Sequence, residues 1–307
     1  MPSGAGSRGS SKDLTVFGLL NIDKPAGPTS HDIVAEVRRG AGVKKVGHAG
    51  TLDPMATGVL VLCLGPATRL SQYAMGSRKI YIARVRFGIE TDTYDAGGAI
   101  TAQNDAPLDR QAVEAALDAF RGDIEQVPPM YSAIKRDGQK LYELARAGEE
   151  VERSARPVTI YHLELTAWEP PYATLRIECS AGTYIRSLAF DLGRAVGVGA
   201  HLAALQRAAS GAFTVDDAVN WDDFRAAMAA GTWREHLLPP DMALAEYPRV
   251  DLTAAEAEDI RHGRLIPIDG DPELAGELAR AYDSEGRFFA VLQRRGVRWK
   301  PHKVLSL

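Results

Sequence analysis

Six consecutive apolar residues, Val59 to Leu64, stand between Gly58 and Gly65 in the run TGVLVLCLG. A half-exposed strand would alternate polar and apolar side chains, so an unbroken run of this length predicts a strand that needs cover on both faces. It is far short of the ~20 residues that span a bilayer. The chain must therefore build at least one layer on each side of a central sheet, and 307 residues at 45% hydrophobic content supply the material.

The neighbouring segments say what those layers are. GLLNIDKPAGPTSHDIVAEVRRGAG opens as an apolar strand, turns through Lys24-Pro25 and Gly27-Pro28, and becomes a helix with Ser30 as N-cap and Gly40 as its stop. KIYIARVRFG alternates, with Tyr81, Ala83, Val85 and Phe87 on one face, and predicts a half-exposed strand. Val113, Ala116, Leu117 and Phe120 recur at helical spacing within Asp109 to Arg121. VTIYHLELTAWE and ATLRIECS read as strands, and the second runs into a helix marked by Ile185, Leu188, Ala189, Leu192 and Val196. Strands and helices alternate without a βαβ repeat, which predicts an α+β architecture with an antiparallel-rich mixed sheet rather than a doubly wound one.

Prolines 239, 240 and 248 in LLPPDMALAEYPRV interrupt both periodicities and mark a boundary. The expected division is a flexible Gly/Ser-rich tail over residues 1–13, a main domain over 14–240 and a small β-rich domain over 246–307. In the last, Thr253 and Glu256 form a capping box for a helix ending at Gly263, and RLIPID, LARAYD and FFAVLQRR read as short strands.

The two cysteines, Cys63 and Cys179, lie in apolar stretches, which fits buried thiols in a reducing compartment. With no spanning segment, the expectation is a cytoplasmic protein that engages no membrane. The formal net charge of -4 argues against a polyanionic partner, yet Arg287 to Leu307 carries six Lys or Arg, no acid, and interleaved aromatics. A solvated basic strand edge explains that segment equally well.

The loop before the apolar run, VGHAGTLDPMATG, carries one carboxylate. A phosphate cradle would need Gly-Lys-Ser/Thr between a strand and a helix, and neither is present. His48 and Asp53 lack further ligands at metal spacing. An aspartate before a proline is commonly a helix N-cap, so Asp53 is either a cap or a chemical group.

Five segments taken together, GLLNIDKPAGPTSHD, GHAGTLDPMATGVLVLCLGPATRL, KIYIARVRFGIETDTYDAGG, RGDIEQVPPMYSAIKRDGQKLYELARAG and CSAGTYIRSLAFDLG, resemble in order and spacing the bacterial tRNA pseudouridine-55 synthases of the TruB family. The resemblance covers Gly18 to Ser210 and extends in outline to a C-terminal PUA-like, RNA-binding module. It implies a pseudouridine synthase fold and isomerisation of the T-arm uridine of tRNA, with Asp53 as nucleophile. By the same resemblance Arg186 is the positive partner of Asp53, and Tyr81 stacks on the target base. Tyr184 and Leu205 line the pocket, His48 braces the space left by the flipped base, and Lys24 and Arg69 contact phosphate or support the pocket. Residues 130–156 match an RNA-clamping insertion that offers Lys135, Arg136, Lys140, Arg146, Arg153 and Arg156 to phosphates. The chain departs from the family pattern at Ala49, where threonine is frequent, and at Arg69, where lysine is frequent.

The chemistry agrees with one carboxylate and neither cofactor nor metal. Pseudouridine formation breaks the C1′–N1 bond, turns the base and joins C1′ to C5 without redox change, so the requirement resembles that of a retaining glycosidase nucleophile. A carboxylate shielded from water needs a fixed cation to remain ionised, and arginine, charged at all relevant pH, supplies it. The resemblance implies tRNA as partner, no obligatory protein partner, and a monomer. Two readings compete: an RNA-folding protein without need of isomerisation, and a guide-RNA-dependent relative.

Overall fold

The computed structural model describes residues 16–131, 151–270 and 276–305, together with the backbone of two short strands within 132–150. In chain order the first half runs β1 (Gly18–Lys24), α1 (Ser30–Gly40), β2 (Val46–His48), β3 (Thr57–Leu64), α2 (Ser71–Gly76), β4 (Lys79–Phe87), the hairpin β5 (Ile89–Thr91) and β6 (Ile100–Gln103), α3 (Arg110–Leu117) and β7 (Gly122–Gln126). The short pair β8 (Lys135–Arg136) and β9 (Gln139–Lys140) follows, then β10 (Arg156–Glu169), β11 (Tyr172–Cys179), α4 (Ile185–Ala195), β12 (Ala200–Ser210), β13 (Phe213–Thr214), β14 (Val219–Asn220) and α5 (Trp221–Ala230). The last stretch holds β15 (Arg249–Asp251), α6 (Ala254–Arg261), β16 (Ile266–Pro267), β17 (Leu278–Tyr282), β18 (Phe288–Arg295) and β19 (Arg298–Val304).

The main sheet has the order β14-β1-β3-β12-β4-β11-β10-β7, with β2 added to β3 and β13 to β12. Only β1 with β14 and β3 with β12 are parallel; the other pairs are antiparallel, as the α+β expectation requires. β3 lies inside it, between β1 and β12, and its two faces serve different cores. Leu60, Leu62 and Leu64 pack with Val37 of α1, Leu188 of α4 and Phe224 of α5. Val59, Val61 and Cys63 pack on the opposite side with Leu70, Phe288, Val291 and Leu305. That second layer comes partly from the C-terminal sheet, which explains why the run TGVLVLCL shows no alternation.

Local details show how tightly these layers approach. A Cβ on Gly193 of α4 would lie 2.1 Å from the Ala200 nitrogen, so only glycine lets α4 close onto the start of β12. The N-cap of α1 is Thr29 rather than Ser30: Thr29 accepts from the Asp32 backbone N–H and the Asp32 carboxylate accepts from the Thr29 N–H, a complete capping box. Ser30 is thereby freed for a contact described below. The expected helix near Asp109 is capped by Asp109 itself and ends in a short 3-10 turn at Phe120.

The C-terminal sheet has the order β15-β17-β18-β19-β16 and its own core of Leu252, Ile260, Ala279, Phe289 and Trp299. The Thr253–Glu256 capping box starts α6 as expected. The expected tail of residues 1–13 lies outside the described residues. Among the described residues no helix is long and apolar enough to cross a membrane.

Candidate active site

The Asp53 loop begins as β2 peels from β3. Ala49 still donates to Val61 (2.9 Å), then Gly50 at φ +112 turns the chain out over the sheet. No helix follows Asp53. The Asp53 carbonyl accepts from Ala56 at 3.0 Å to close a turn that feeds β3, so the N-cap alternative falls. The loop is held on both sides of the carboxylate. Before it, Ser30 Oγ bonds both the N–H and the carbonyl of Leu52 (2.9 and 3.1 Å). After it, Lys24 Nζ donates to Pro54 and Ala56 carbonyls (3.3 and 2.7 Å) and to that of Pro25 (2.8 Å).

Lys24 is wholly buried. Its ammonium is taken up by the three loop carbonyls, an arrangement that fits the pocket-supporting alternative. Burial brings its pKa down to about 8; Asp53 opposes the shift and Arg207 adds to it.

Arg186, on the first turn of α4, is the hub. Its Nε lies 2.9 Å from Asp53 Oδ2 and its Nη2 donates to Asp53 Oδ1 at 3.2 Å. Nη1 reaches the Asp95 carboxylate (3.4 Å) and the Thr93 carbonyl (3.2 Å), and Nη2 also donates to the Tyr131 carbonyl (2.8 Å). One guanidinium thus binds two carboxylates, the turn after β5, and the start of the insertion after β7. The turn is shaped by Tyr94, a non-glycine residue at φ +62 whose ring stacks 3.9 Å from that of Phe190 on α4. That stacking offsets the strain of the left-handed conformation.

Burial pushes the Asp53 carboxyl upward; Arg186 pulls it back and Asp95 pushes it further up. The Arg186 side chain is only 6% exposed, whereas that of Asp53 is 34% exposed, so the carboxylate is open to a substrate while its partner is not.

Tyr81 lies on the inward face of β4, opposite Ile177 of β11 and Arg207 of β12. Leu205, two residues before Arg207, pairs with Ala83 and is also buried. Burial raises the Tyr81 phenol, and the neighbouring Arg207 guanidinium counters it. Tyr184 precedes α4, and the buried Gln126 side chain grips its backbone twice, accepting from its N–H (2.7 Å) and donating to its carbonyl (3.0 Å). His48 meets His31 edge-on with ring centroids 5.1 Å apart; burial, His31 and Arg207 bring its pKa down to about 4, so its ring is neutral near pH 7.

Asp53, Arg186, Tyr81, Lys24 and His48 are therefore tied to one loop and the sheet beneath it. Arg69 is placed elsewhere: its Nη1 donates to the Val304 carbonyl (2.7 Å) and Lys303 Nζ donates back to the Arg69 carbonyl (2.6 Å), joining the two sheets. Of the insertion, Arg153 bonds the Pro128 carbonyl (3.0 Å). The side chains of Lys135, Arg136, Lys140 and Arg146 lie outside the described residues. Asp95, Gln126 and Arg207 were not anticipated. For Arg207 a signal existed, since period-two spacing from Leu205 puts it on the same inward face. Among the described residues, no group of three or more His, Cys, Asp or Glu is gathered as metal ligands would be.

Residues 38–185 match the model of the TruB family pseudouridylate synthase N-terminal domain, 186–245 that of a tRNA pseudouridylate synthase B C-terminal domain, and 247–306 that of a tRNA pseudouridine synthase II C-terminal region. The tRNA pseudouridine synthase B of Pseudomonas aeruginosa (strain UCBPP-PA14) is 45% identical over 280 residues, 90% of this chain and 91% of the relative. That of Azoarcus sp. (strain BH72) is 48% identical over 294 residues, 95% of both. Among solved structures, an H/ACA RNP bound to a substrate RNA containing 2′-deoxyuridine superposes with a TM-score of 0.72 at 25% identity, covering 95% of this chain and 86% of the other. With family models matched from residue 38 to 306 and relatives aligned over nine-tenths or more of its length, the chain belongs to the TruB family of tRNA pseudouridine synthases.

Proposed function

We propose that the protein converts the T-arm uridine at position 55 of tRNA to pseudouridine, with Asp53 as the nucleophile. The observation that carries this reading is the Asp53–Arg186 pair: a partly open carboxylate 2.9 Å from a buried guanidinium. Only the ionised carboxylate can trap or stabilise the ribose as the C1′–N1 bond breaks. The freed base turns within the pocket, C1′ joins C5, the C5 proton leaves and N1 gains a proton, so atoms balance without cofactor or metal.

A stacked uridine is out of reach of Asp53, so the nucleotide is flipped out at a cost of about a few kcal/mol. His48 braces the vacated space as a neutral ring, and Tyr81, with Tyr184 and Leu205, encloses the flipped base. Tyr81 acts by stacking, because an unperturbed phenol near pKa ~10 is a poor base at neutral pH and burial makes it poorer. RNA phosphates are bound by the insertion of residues 130–156 and the basic edge of the PUA-like module. The protein works as a cytoplasmic monomer without an obligatory protein partner.

Release of tritium from C5-labelled uridine in a tRNA transcript, and in a bare T-arm stem-loop, tests this for wild type and Asp53→Asn. Release by the wild type on both substrates and none by the variant is expected. A wild type inert on the bare stem-loop would overturn the stand-alone T-arm reading, and an active Asp53→Asn would overturn the nucleophile.

A further inference from the structure

We propose that Arg207 is a positioning residue of the reaction: from one buried guanidinium it fixes the loop that carries Asp53 and the strand face that carries Tyr81. Its Nε donates to the Val59 carbonyl (2.7 Å), its Nη2 to that of Gly50 (3.1 Å) and its Nη1 to that of Thr51 (3.4 Å). Gly50 and Thr51 stand at the turn where the chain leaves the sheet toward Asp53, and Val59 is where it re-enters. The planar fork therefore clamps both ends of the segment that holds the carboxylate, which a lysine with a single point charge could not do.

The side chain reaches this place because of its strand. β12 lies between β3 and β4, and Arg207 pairs with Gly58 on one side and Tyr81 on the other. At Gly58 a Cβ would meet the Arg207 carbonyl oxygen at 2.3 Å and φ is +93, so β12 presses directly against the backbone of β3. On the β4 side Arg207 stands directly opposite Tyr81, where its charge opposes the upward push of burial on the phenol.

Arg207 is 1% exposed, and its guanidinium bonds carbonyls with no carboxylate paired to it among the described residues. A buried cation without a counter-ion is costly, and a purely structural strand position would be filled more cheaply by an apolar side chain. Its charge is felt across the pocket floor: burial brings Lys24 and Lys79 down to about 8 and His48 to about 4, and Arg207 adds to each shift. The arrangement makes sense where a carboxylate must be delivered by a short loop whose backbone would otherwise be free to shift.

The role of Arg207 rests on Asp53 being the nucleophile, so Asp53→Asn is measured beside it. Arg207→Met and Arg207→Lys are compared with wild type for single-turnover rate on tRNA and for melting temperature. Affinity is measured in the Asp53→Asn background, where no turnover interferes. A misplacement of the carboxylate by about 1 Å costs roughly 100-fold in rate, so Arg207→Met should lose about that much while its affinity for tRNA is retained. Arg207→Lys, which keeps the charge and loses the fork, should recover only part of the rate, and combining it with Tyr81→Phe should cost less than the sum of the two changes. Should Arg207→Met not fold, the decision passes to Arg207→Lys. Wild-type rates in the folded variant sink the proposal, and so does a rate loss matched by an equal loss of RNA affinity. An active Asp53→Asn instead removes the nucleophile reading on which it stands.

Discussion

Arg186 Nε lies 2.9 Å from Asp53 Oδ2 although the two residues are 133 positions apart. One comes from a loop entering β3 and the other from the first turn of α4, so the pair forms only when the sheet and its helical layer have both closed. Arg186 also holds Asp95 and two backbone carbonyls, which leaves it no freedom to follow a misplaced carboxylate.

Arg186→Lys keeps a charge and loses the fork that engages Asp53, Asp95, Thr93 and Tyr131 together. The single-turnover rate should fall by about 100- to 1,000-fold, the range for removing one fixed donor from a developing charge. Stability should fall by less than the roughly 3 to 5 kcal/mol of a fully buried broken pair, since Asp53 is partly open to water and can take up a proton. Rate and urea midpoint measured on the same preparation check both; an unchanged rate would remove Arg186 from the reaction.

The upward shift of the Asp53 pKa gives a pH dependence with a definite sign. Activity requires the carboxylate, so the acidic limb of the rate profile should lie above the ordinary aspartate value of about 3.9. Stability moves the other way. A carboxyl whose folded pKa is raised binds more protons folded than unfolded between the two pKa values, so stability falls as pH rises through that window. Relative to Asp53→Asn, the wild type should therefore gain stability as pH falls from neutral toward 4. Rate profiles with denaturation at several pH values test it, and an acidic limb at or below the ordinary value contradicts it.

Lys24→Met separates support from charge. Three carbonyls lose a donor, of which that of Pro54 keeps the Gly27 N–H at 2.8 Å, leaving those of Pro25 and Ala56 unsatisfied. An unsatisfied buried carbonyl costs about 1 to 3 kcal/mol, partly offset by relief of a buried charge, so a loss of about 2 kcal/mol is expected. The rate should fall at the same time because Pro54 and Ala56 follow Asp53 directly, while RNA affinity stays. Loss of affinity with an unchanged rate would instead favour the phosphate contact that the resemblance also offers.

Parts of this were legible before folding, for identifiable reasons. The covered strand β3 could be read because six apolar residues in succession leave no solvent face. The capping box of α6 needs only Thr253 and Glu256, three residues apart. The cap of α1 was misplaced by one residue because Thr29 and Ser30 are both good caps, and only Thr29 has Asp32 at the third helical position to reciprocate. The inward face of Arg207 follows from its spacing to Leu205, but its hold on the Asp53 loop depends on cross-strand register, and Asp95 depends on a turn strapped to β12 through Leu202, neither of which any local pattern records.

Arg69 is the residue whose place was least legible, since its partner Val304 is 235 positions away. Its Nη1 bond to the Val304 carbonyl and the return bond from Lys303 join the 3-10 turn after β3 to the last strand of the C-terminal sheet. Arg69→Ala removes the first bond and leaves the second, which uses the Arg69 backbone. At this exposed position the loss should be about 0.5 to 1.5 kcal/mol. The C-terminal sheet should then undock more often, seen as faster limited proteolysis in the connecting segment 239–248, while the rate on a short T-arm stem-loop remains that of the wild type. A large rate loss on the stem-loop, with proteolysis unchanged, would instead return Arg69 to the pocket-supporting role that the sequence resemblance implies.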